Sequence, residues 1–254
     1  MNILILTQDD PFYLAQQLDY LLERVPEGAN IVGCVVFDVS PFGKKESIIE
    51  KALKTWRIFG NAFFLRYGMK YLRSKLSSSS KVEHVLEKHG IEKIKIEGSI
   101  NSEDSLEKLK SYDPDLLISI AGNQIFKKAL IELAPEGCLN LHTALLPKYR
   151  GLMPSFWVLK NNEDYTGVSV FFVDEGIDSG PILVQKKVKI ENRTQEELIQ
   201  HTKKVGMDAI IEAIERIREG GYELIPNPDK ESTYYSFPTR EDVNEFKRIG
   251  KRFY

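Results

Sequence analysis

The chain has 254 residues, 42% hydrophobic and 28% charged, with 35 Lys and Arg against 37 Asp and Glu for a net charge of −2. That balance suits one α/β domain of modest decoration, or at most two small ones, and carries no global sign of nucleic-acid or membrane binding, although near-neutrality can hide a local patch. Cys34 and Cys138 both sit in apolar runs, no stretch could span a bilayer, and the start Met1–Leu6 is too short for a signal peptide, so the expectation is a cytoplasmic protein without a disulfide framework.

The first element is a continuous apolar run at residues 3–6, as expected of a parallel strand covered on both faces. Leu14, Leu18, Leu21, Leu22 and Val25 recur at helical spacing up to Pro26, and a second apolar run, Ile31–Phe37, completes a βαβ unit. The pattern resumes with a helix near 81–89, a strand at Ile94–Ile96, a helix near 103–111, and the strand Leu116–Ala121 after the breaker Asp113-Pro114-Asp115. A helix over about 124–133, the strand Cys138–His142, and two strands at Val168–Val173 and Ile182–Ile190 follow. A long helix starts at Thr194, where Glu197 occupies the capping-box position, and ends at Gly220-Gly221. Ser77–Ser80 reads as a surface loop. The predicted fold class is α/β with a mostly parallel sheet.

Ligands of such sheets bind beyond the carboxyl ends of the strands. The first strand ends in Thr7-Gln8-Asp9-Asp10-Pro11, which lacks the glycines a phosphate-cradling turn requires, and two carboxylates there would repel a phosphate. A nicotinamide dinucleotide or NTP-hydrolysing role is therefore disfavoured. Chemistry-bearing residues concentrate between Gly137 and Gly180. Asn140 and His142 lie two apart on a strand and leave one face, while Leu139 and Leu141 leave the other. An irregular segment, Pro147–Pro154, and a glycine-rich acidic loop, Asp174–Pro181, follow. An amide donor, an imidazole and a carboxylate suit acyl transfer: the first stabilises an oxyanion, the second moves protons, and the third holds the imidazole or a bridging water. By residue type alone the same three could be a turn cap, a buried histidine and a turn aspartate. His84, His89 and His201 are scattered on predicted helices, so a metal site is not expected.

The run Gly137-Cys138-Leu139-Asn140-Leu141-His142-Thr143-Ala144-Leu145-Leu146-Pro147-Lys148-Tyr149-Arg150-Gly151 resembles the signature of the 10-formyltetrahydrofolate-dependent formyltransferases, which include methionyl-tRNA, glycinamide ribonucleotide and amino-sugar enzymes. Asp174-Glu175-Gly176-Ile177-Asp178-Ser179-Gly180 resembles the family's Asp-x-Gly-x-Asp-x-Gly loop, and Thr166-Gly167-Val168-Ser169 its Thr-Gly-Val-Thr strand. The resemblance implies a Rossmann-like twisted sheet with flanking helices and a catalytic trio of Asn140, His142 and Asp178. It implies that 10-formyltetrahydrofolate lies along Ala121, Gly122, Asn123, Gln124 and Ile125 and the loop with Val173, Asp174 and Gly176. It further implies a catalytic domain over 1–220, with a basic helical segment inserted at 44–77 and a short extension at 221–254. Where many members have His-Pro-Ser, this chain has His142-Thr143-Ala144, outside the trio.

The acceptor is read by subfamily. Thr7–Pro11 lacks the Gly-rich loop of the glycinamide ribonucleotide enzymes, and only Tyr222–Tyr254 follows the last long helix, where the tRNA enzymes carry a β-rich domain. Thr233–Asp242 loosely resembles the closing segment of enzymes that formylate a nucleotide-linked amino sugar. That acceptor ranks first, a tRNA or small amine second, and hydrolysis of the formyl donor third; a non-catalytic RNA- or lipid-binding relative is the reading from another class. Residues 44–75 hold nine basic residues against Glu46 and Glu50, a local +7 that leaves −9 for the rest, with Trp56, Phe59, Phe63, Phe64, Tyr67 and Tyr71 interleaved. Besides a solvated helical hairpin packed on the domain, the readings are an arm over an anionic acceptor, a homodimer contact, a membrane-surface helix, or tRNA binding.

Overall fold

The computed structural model describes residues 1–37, 47–76, 81–122 and 124–254; the Ser77–Ser80 loop, Asn123, and Lys44 and Lys45 of the basic segment lie outside them. Among the described residues the chain runs β1 (Asn2–Gln8), α1 (Leu14–Leu22), β2 (Asn30–Phe37), α2 (Ile48–Phe59), α3 (Asn61–Leu76), α4 (Val82–Lys88), β3 (Lys93–Ile94), α5 (Glu103–Lys110) and β4 (Leu116–Ile120). It continues with α6 (Lys128–Ile131), β5 (Cys138–His142), β6 (Arg150–Gly151), α7 (Pro154–Lys160), β7 (Tyr165–Phe172), β8 (Ile182–Lys189), α8 (Gln195–Glu219), β9 (Tyr234–Tyr235) and α9 (Arg240–Arg248). Seven strands form one sheet in the order β3-β2-β1-β4-β5-β7-β8. The pairings from β3 to β5 are parallel, whereas β7 runs antiparallel to β5 and β8 antiparallel to β7. This is the mostly parallel α/β sheet that the alternation of apolar runs and helical stripes predicts.

Alternation along the strands divides the core in two. Ile3, Ile5, Ile118, Leu139 and Leu141 face α1, α4 and the inner stripe of α8, including Met207, Ile210 and Ile214. Leu4, Leu6, Val35, Leu117 and Cys138 face the opposite way, against Leu109 of α5 and Leu130 of α6. The short α6 does not extend across that whole face. The expected helix over 124–133 contracts to four residues because its first turn is occupied elsewhere. The Gln124 side chain accepts from Ile100 N at 3.1 Å, the Asn101 amide donates to Ile125 O at 2.8 Å, and Lys127 N donates to Asn101 Oδ1 at 2.8 Å. Those bonds replace the i→i−4 ladder. Likewise, the strand expected at Ile94–Ile96 narrows to Lys93–Ile94, the length that pairs with Cys34 and Val35. The capping box of α8 is present: Thr194 Oγ1 accepts from Glu197 N and Thr194 N donates to Glu197 Oε2 at 2.8 Å.

A third cluster joins elements far apart in sequence. Phe59 and Phe63 of the α2–α3 hairpin, Phe156 and Trp157 of α7, and Val243, Phe246 and Phe253 of the C-terminal segment are all buried. Phe246 stacks on Phe156 at 4.9 Å and on Phe253 at 4.6 Å, and Phe59 stacks on Phe63 at 4.4 Å. Residues 221–254 thus fold back over the domain, and β9 pairs with β6 beside the end of β5.

Candidate active site

The site begins with the two-residue period of β5. Cys138, Asn140 and His142 project from one face, and the register pairs Asn140 with Ser119 of β4 and Phe171 of β7. His142 is 6% exposed. Its Nε2 lies 2.7 Å from the carbonyl oxygen of Tyr149, which can only accept, so Nε2 carries a hydrogen and donates. Nδ1 then faces the other way, toward Asp178 Oδ2 at 3.6 Å. That separation exceeds a direct hydrogen bond. The same carboxylate oxygen accepts from Gly151 N at 2.8 Å. The imidazole is therefore held by a backbone carbonyl, and Asp178 by a backbone amide. The Asn140 side chain is half-buried and makes no hydrogen bond with the described residues, which leaves its amide available to a reactant.

Backbone strain is concentrated here. Ala121, Tyr149, Met153 and Asp178 adopt left-handed conformations, with φ of 56°, 60°, 53° and 51°. Each such non-glycine residue costs roughly 1–3 kcal/mol and persists only where its surroundings over-determine it. Glycines stand where a side chain would collide: a Cβ on Gly180 would meet the carbonyl oxygen of Phe172, and one on Gly151, at φ +92°, would meet that of Tyr235. These approaches explain the final glycine of the acidic loop and the glycine after Tyr149-Arg150.

Several partners of the loop come from residues that the sequence alone does not mark. Asn227 donates from Nδ2 to the carbonyls of Asp178 and Gly180, both at 2.9 Å, and so fixes the loop that carries the carboxylate. Arg150, 6% exposed, donates to Asn227 O and Oδ1 at 3.0 Å and to Asp229 Oδ1 at 2.7 Å. Tyr149 donates its hydroxyl to Glu163 at 2.6 Å, and burial followed by that carboxylate's hydrogen bond pushes its phenol well above the ordinary value. Arg150 therefore braces the loop through Asn227, whereas Tyr149 ties its own segment to Glu163. Asn227 sits in Pro226-Asn227-Pro228, some fifty residues from Asp178, a distance at which no local pattern can signal the contact.

The two expected folate-lining segments start at opposite ends of β5, and the second returns to set Asp178 beside His142. Ile120 pairs with Leu141, which puts Ala121 and Gly122 level with His142, whereas Val173 N donates to Cys138 O at 2.7 Å at the start of the strand. Gln124 is turned to Ile100, Ile125 is 61% exposed, and Asp174 Oδ1 accepts from Gly176 N and Ser179 Oγ within its own loop. Among the described residues no group of three His, Cys, Asp or Glu could hold a metal. Burial raises the Cys138 thiol to about 12, so this neighbour of Asn140 stays protonated.

The sequence profile described as Formyl transferase matches residues 68–214, more than half of the chain, with Asn140, His142, Asp178 and the segments that carry them. The chain belongs to the formyl transferase family. A methionyl-tRNA formyltransferase of Thermotoga maritima is 33% identical over 234 residues, covering 92% of this chain and 64% of that protein. One of Thermodesulfovibrio yellowstonii is 38% identical over 144 residues, covering 56% of this chain and 46% of that protein. The chain thus spans from about half to under two thirds of the length of these relatives. In fold it is similar to an N-formyltransferase of Helicobacter canadensis solved with folinic acid and dTDP-3-aminofucose, with a TM-score of 0.59 and 20% identity over 98% of this chain and 82% of that one.

Proposed function

We propose that the chain transfers a formyl group from 10-formyltetrahydrofolate to a primary amine, with a nucleotide-linked amino sugar as the leading acceptor. The observation that carries the reading is the convergence of Asn140, His142 and Asp178 on one face of β5, with the Asn140 amide unengaged by the described residues and His142 Nδ1 turned toward the carboxylate. In this reading residues 1–220, with the inserted segment 44–77, form the catalytic unit, and 221–254 brace it. Ala121, Gly122, Gln124 and Ile125 after β4, and Val173, Asp174 and Gly176 in the loop after β7, would hold the folate. Asn123, expected to join them, lies outside the described residues.

The donor supplies an activated one-carbon acyl group; the residues do the rest. The Asn140 amide donates to the formyl oxygen as it gains charge during attack, the role of an oxyanion-hole group. Because the Tyr149 carbonyl holds Nε2–H, Nδ1 of His142 takes a proton from the attacking amine or returns one to the departing nitrogen. Asp178, 3.6 Å away, sets its carboxylate opposite the positive charge that develops on the ring. The gap leaves room for Nδ1 to exchange a proton with a reactant instead of being locked to the carboxylate.

A compact acceptor is favoured by what borders Gly151. The Tyr234 ring lies against Gly151, whose amide binds Asp178, and is 55% exposed. The next residue, Tyr235, stacks on Tyr149 at 5.3 Å and on Trp157 at 4.6 Å. An exposed ring anchored beside the trio suits stacking of a nucleotide base. The names of the Thermotoga and Thermodesulfovibrio relatives favour methionyl-tRNA as the second acceptor. The test incubates the chain with 10-formyltetrahydrofolate and, in turn, a panel of nucleotide-linked amino sugars, aminoacylated initiator tRNA, and no amine. Mass analysis of the products and absorbance of the released folate are followed. A formylated sugar nucleotide is the expected product. Formylation of tRNA alone shifts the assignment to the second acceptor, folate release without amine shows hydrolysis, and no turnover in any arm overturns the reading.

A further inference from the structure

The α2–α3 hairpin packs one side on the domain. Phe59, Phe63 and Tyr67 meet Phe253 and Phe12, while Lys70 and Arg66 pair with Glu196. Its other side is apolar and is not covered by the described residues. On α3, Leu65, Met69, Leu72 and Leu76 are 63%, 55%, 64% and 89% exposed, and they fall within about 60° of arc at 100° per residue. On α2, Ile49, Leu53 and Trp56 are 68%, 44% and 45% exposed and form a second stripe of the same kind. The stripes converge in a groove lined by Leu53, Trp56, Phe64 and Leu65. So large a contiguous apolar surface marks a binding face.

Three observations decide the occupant. Cations border both stripes: Arg57 on α2 and Arg73 on α3 each lie about 70° around from the centre of their stripe and are exposed. Residues 47–76 hold seven Lys and Arg against one acid, Glu50, for a net +6, or +5 with Glu196, which pairs with Arg66 and Lys70, and Glu50 is engaged by Ser47 N at 2.7 Å in the cap of α2. Two copies meeting face to face would bring two such charges together, which opposes a symmetric dimer through this face. Finally, the exposed side chains are aliphatic apart from Trp56, whereas single-stranded nucleic acid is gripped by stacked aromatic rings. The indole N–H of Trp56 donates to Asn61 Oδ1 at 2.6 Å, so its ring can enter an apolar medium without stranding a donor.

We infer that the hairpin docks on an anionic lipid bilayer, with the two apolar stripes set into the headgroup boundary and the flanking arginines on lipid phosphates. This is the arrangement of an interfacial amphipathic helix pair. It stands independently of the formyl-transfer reading, because no residue of the trio takes part.

The test is flotation of the full chain with vesicles of phosphatidylcholine alone or of phosphatidylcholine with 30% phosphatidylglycerol. The chain floats with the anionic vesicles at least about tenfold better than with the neutral ones, and 0.5 M NaCl reduces the difference. Brominated acyl chains quench the fluorescence of Trp56, the buried Trp157 being out of reach. Replacing Leu65→Ser and Leu72→Ser together lowers partition at least about tenfold with an unchanged melting temperature. Arg57→Gln with Arg73→Gln lowers it by about fivefold per residue. Equal binding to neutral and anionic vesicles, no binding by the unaltered chain, or no loss in the double serine variant overturns the inference. A dimer that the serine substitutions dissociate, or retention by single-stranded RNA that survives them, overturns it as well and assigns the face to a second copy or to nucleic acid.

Discussion

Strand β5 and the α2–α3 hairpin are both two-faced, yet they dispose of their faces differently. In β5, Leu139 and Leu141 are covered by α8 while Asn140 and His142 line the opposite face, so apolar and polar sides each meet a matching environment. In the hairpin the buried side is an aromatic seam shared with the C-terminal segment, and the side left in solvent is apolar as well. The proposed trio sits on the polar face of β5, and the hairpin's free face has the composition of a docking surface. The seam joins the hairpin to α7 and α9 and includes Tyr149, whose carbonyl holds His142.

The sharpest way to break this comparison is Phe246→Ala. Phe246 is fully buried between Phe156 and Phe253, and its loss is expected to cost about 3–5 kcal/mol by calorimetry. Limited proteolysis should then open the hairpin before β5. Simultaneous opening of both would show that the regions form one cooperative unit. Next come Asn140→Ala and His142→Ala, each expected to lower kcat/KM by about 100-fold or more, the first with little change in melting temperature and the second with a loss of about 1–3 kcal/mol because the Tyr149 carbonyl is left without its donor. Parental rates in either would remove the proposed mechanism.

A smaller effect is expected of Asn227→Ala, which frees the carbonyls of Asp178 and Gly180 and removes an acceptor from Arg150. A loss of about 1–3 kcal/mol and a partial fall in kcat, measured beside the trio variants, would place Asn227 as a residue that positions Asp178. A fall in stability with unchanged kcat would limit it to packing. The smallest effect sharpens the contrast from the closed side. With the thiol raised to about 12 by burial, Cys138 should not react with a thiol reagent at pH 8 until the chain is unfolded.

The same physical distinction separates what was legible in the residues from what was not. The two-residue period of Cys138-Leu139-Asn140-Leu141-His142 places Asn140 and His142 on one face whatever the rest of the chain does. Thr194 with Glu197 predicts the start of α8, and that capping box is where α8 begins. By contrast, residues 124–133 carry a helical pattern that yields to side chains of the 99–101 loop in its first turn. The role of Arg150 as a brace comes from Asn227 and Asp229, nearly eighty residues further along the chain.

By itself the sequence determined the α/β class, the alternation of the sheet's main strands with helices, the shared face of Asn140 and His142, and the excess of positive charge over residues 44–75. Each follows from local periodicity, capping or composition. Only the tertiary structure decided that β7 and β8 reverse direction, that a backbone carbonyl and not Asp178 orients His142, that Asn227 holds the Asp178 loop, and that the apolar side of the hairpin faces outward. Those outcomes depend on contacts between residues tens of positions apart, where closing a loop is settled by the whole fold and leaves no periodic mark on the chain.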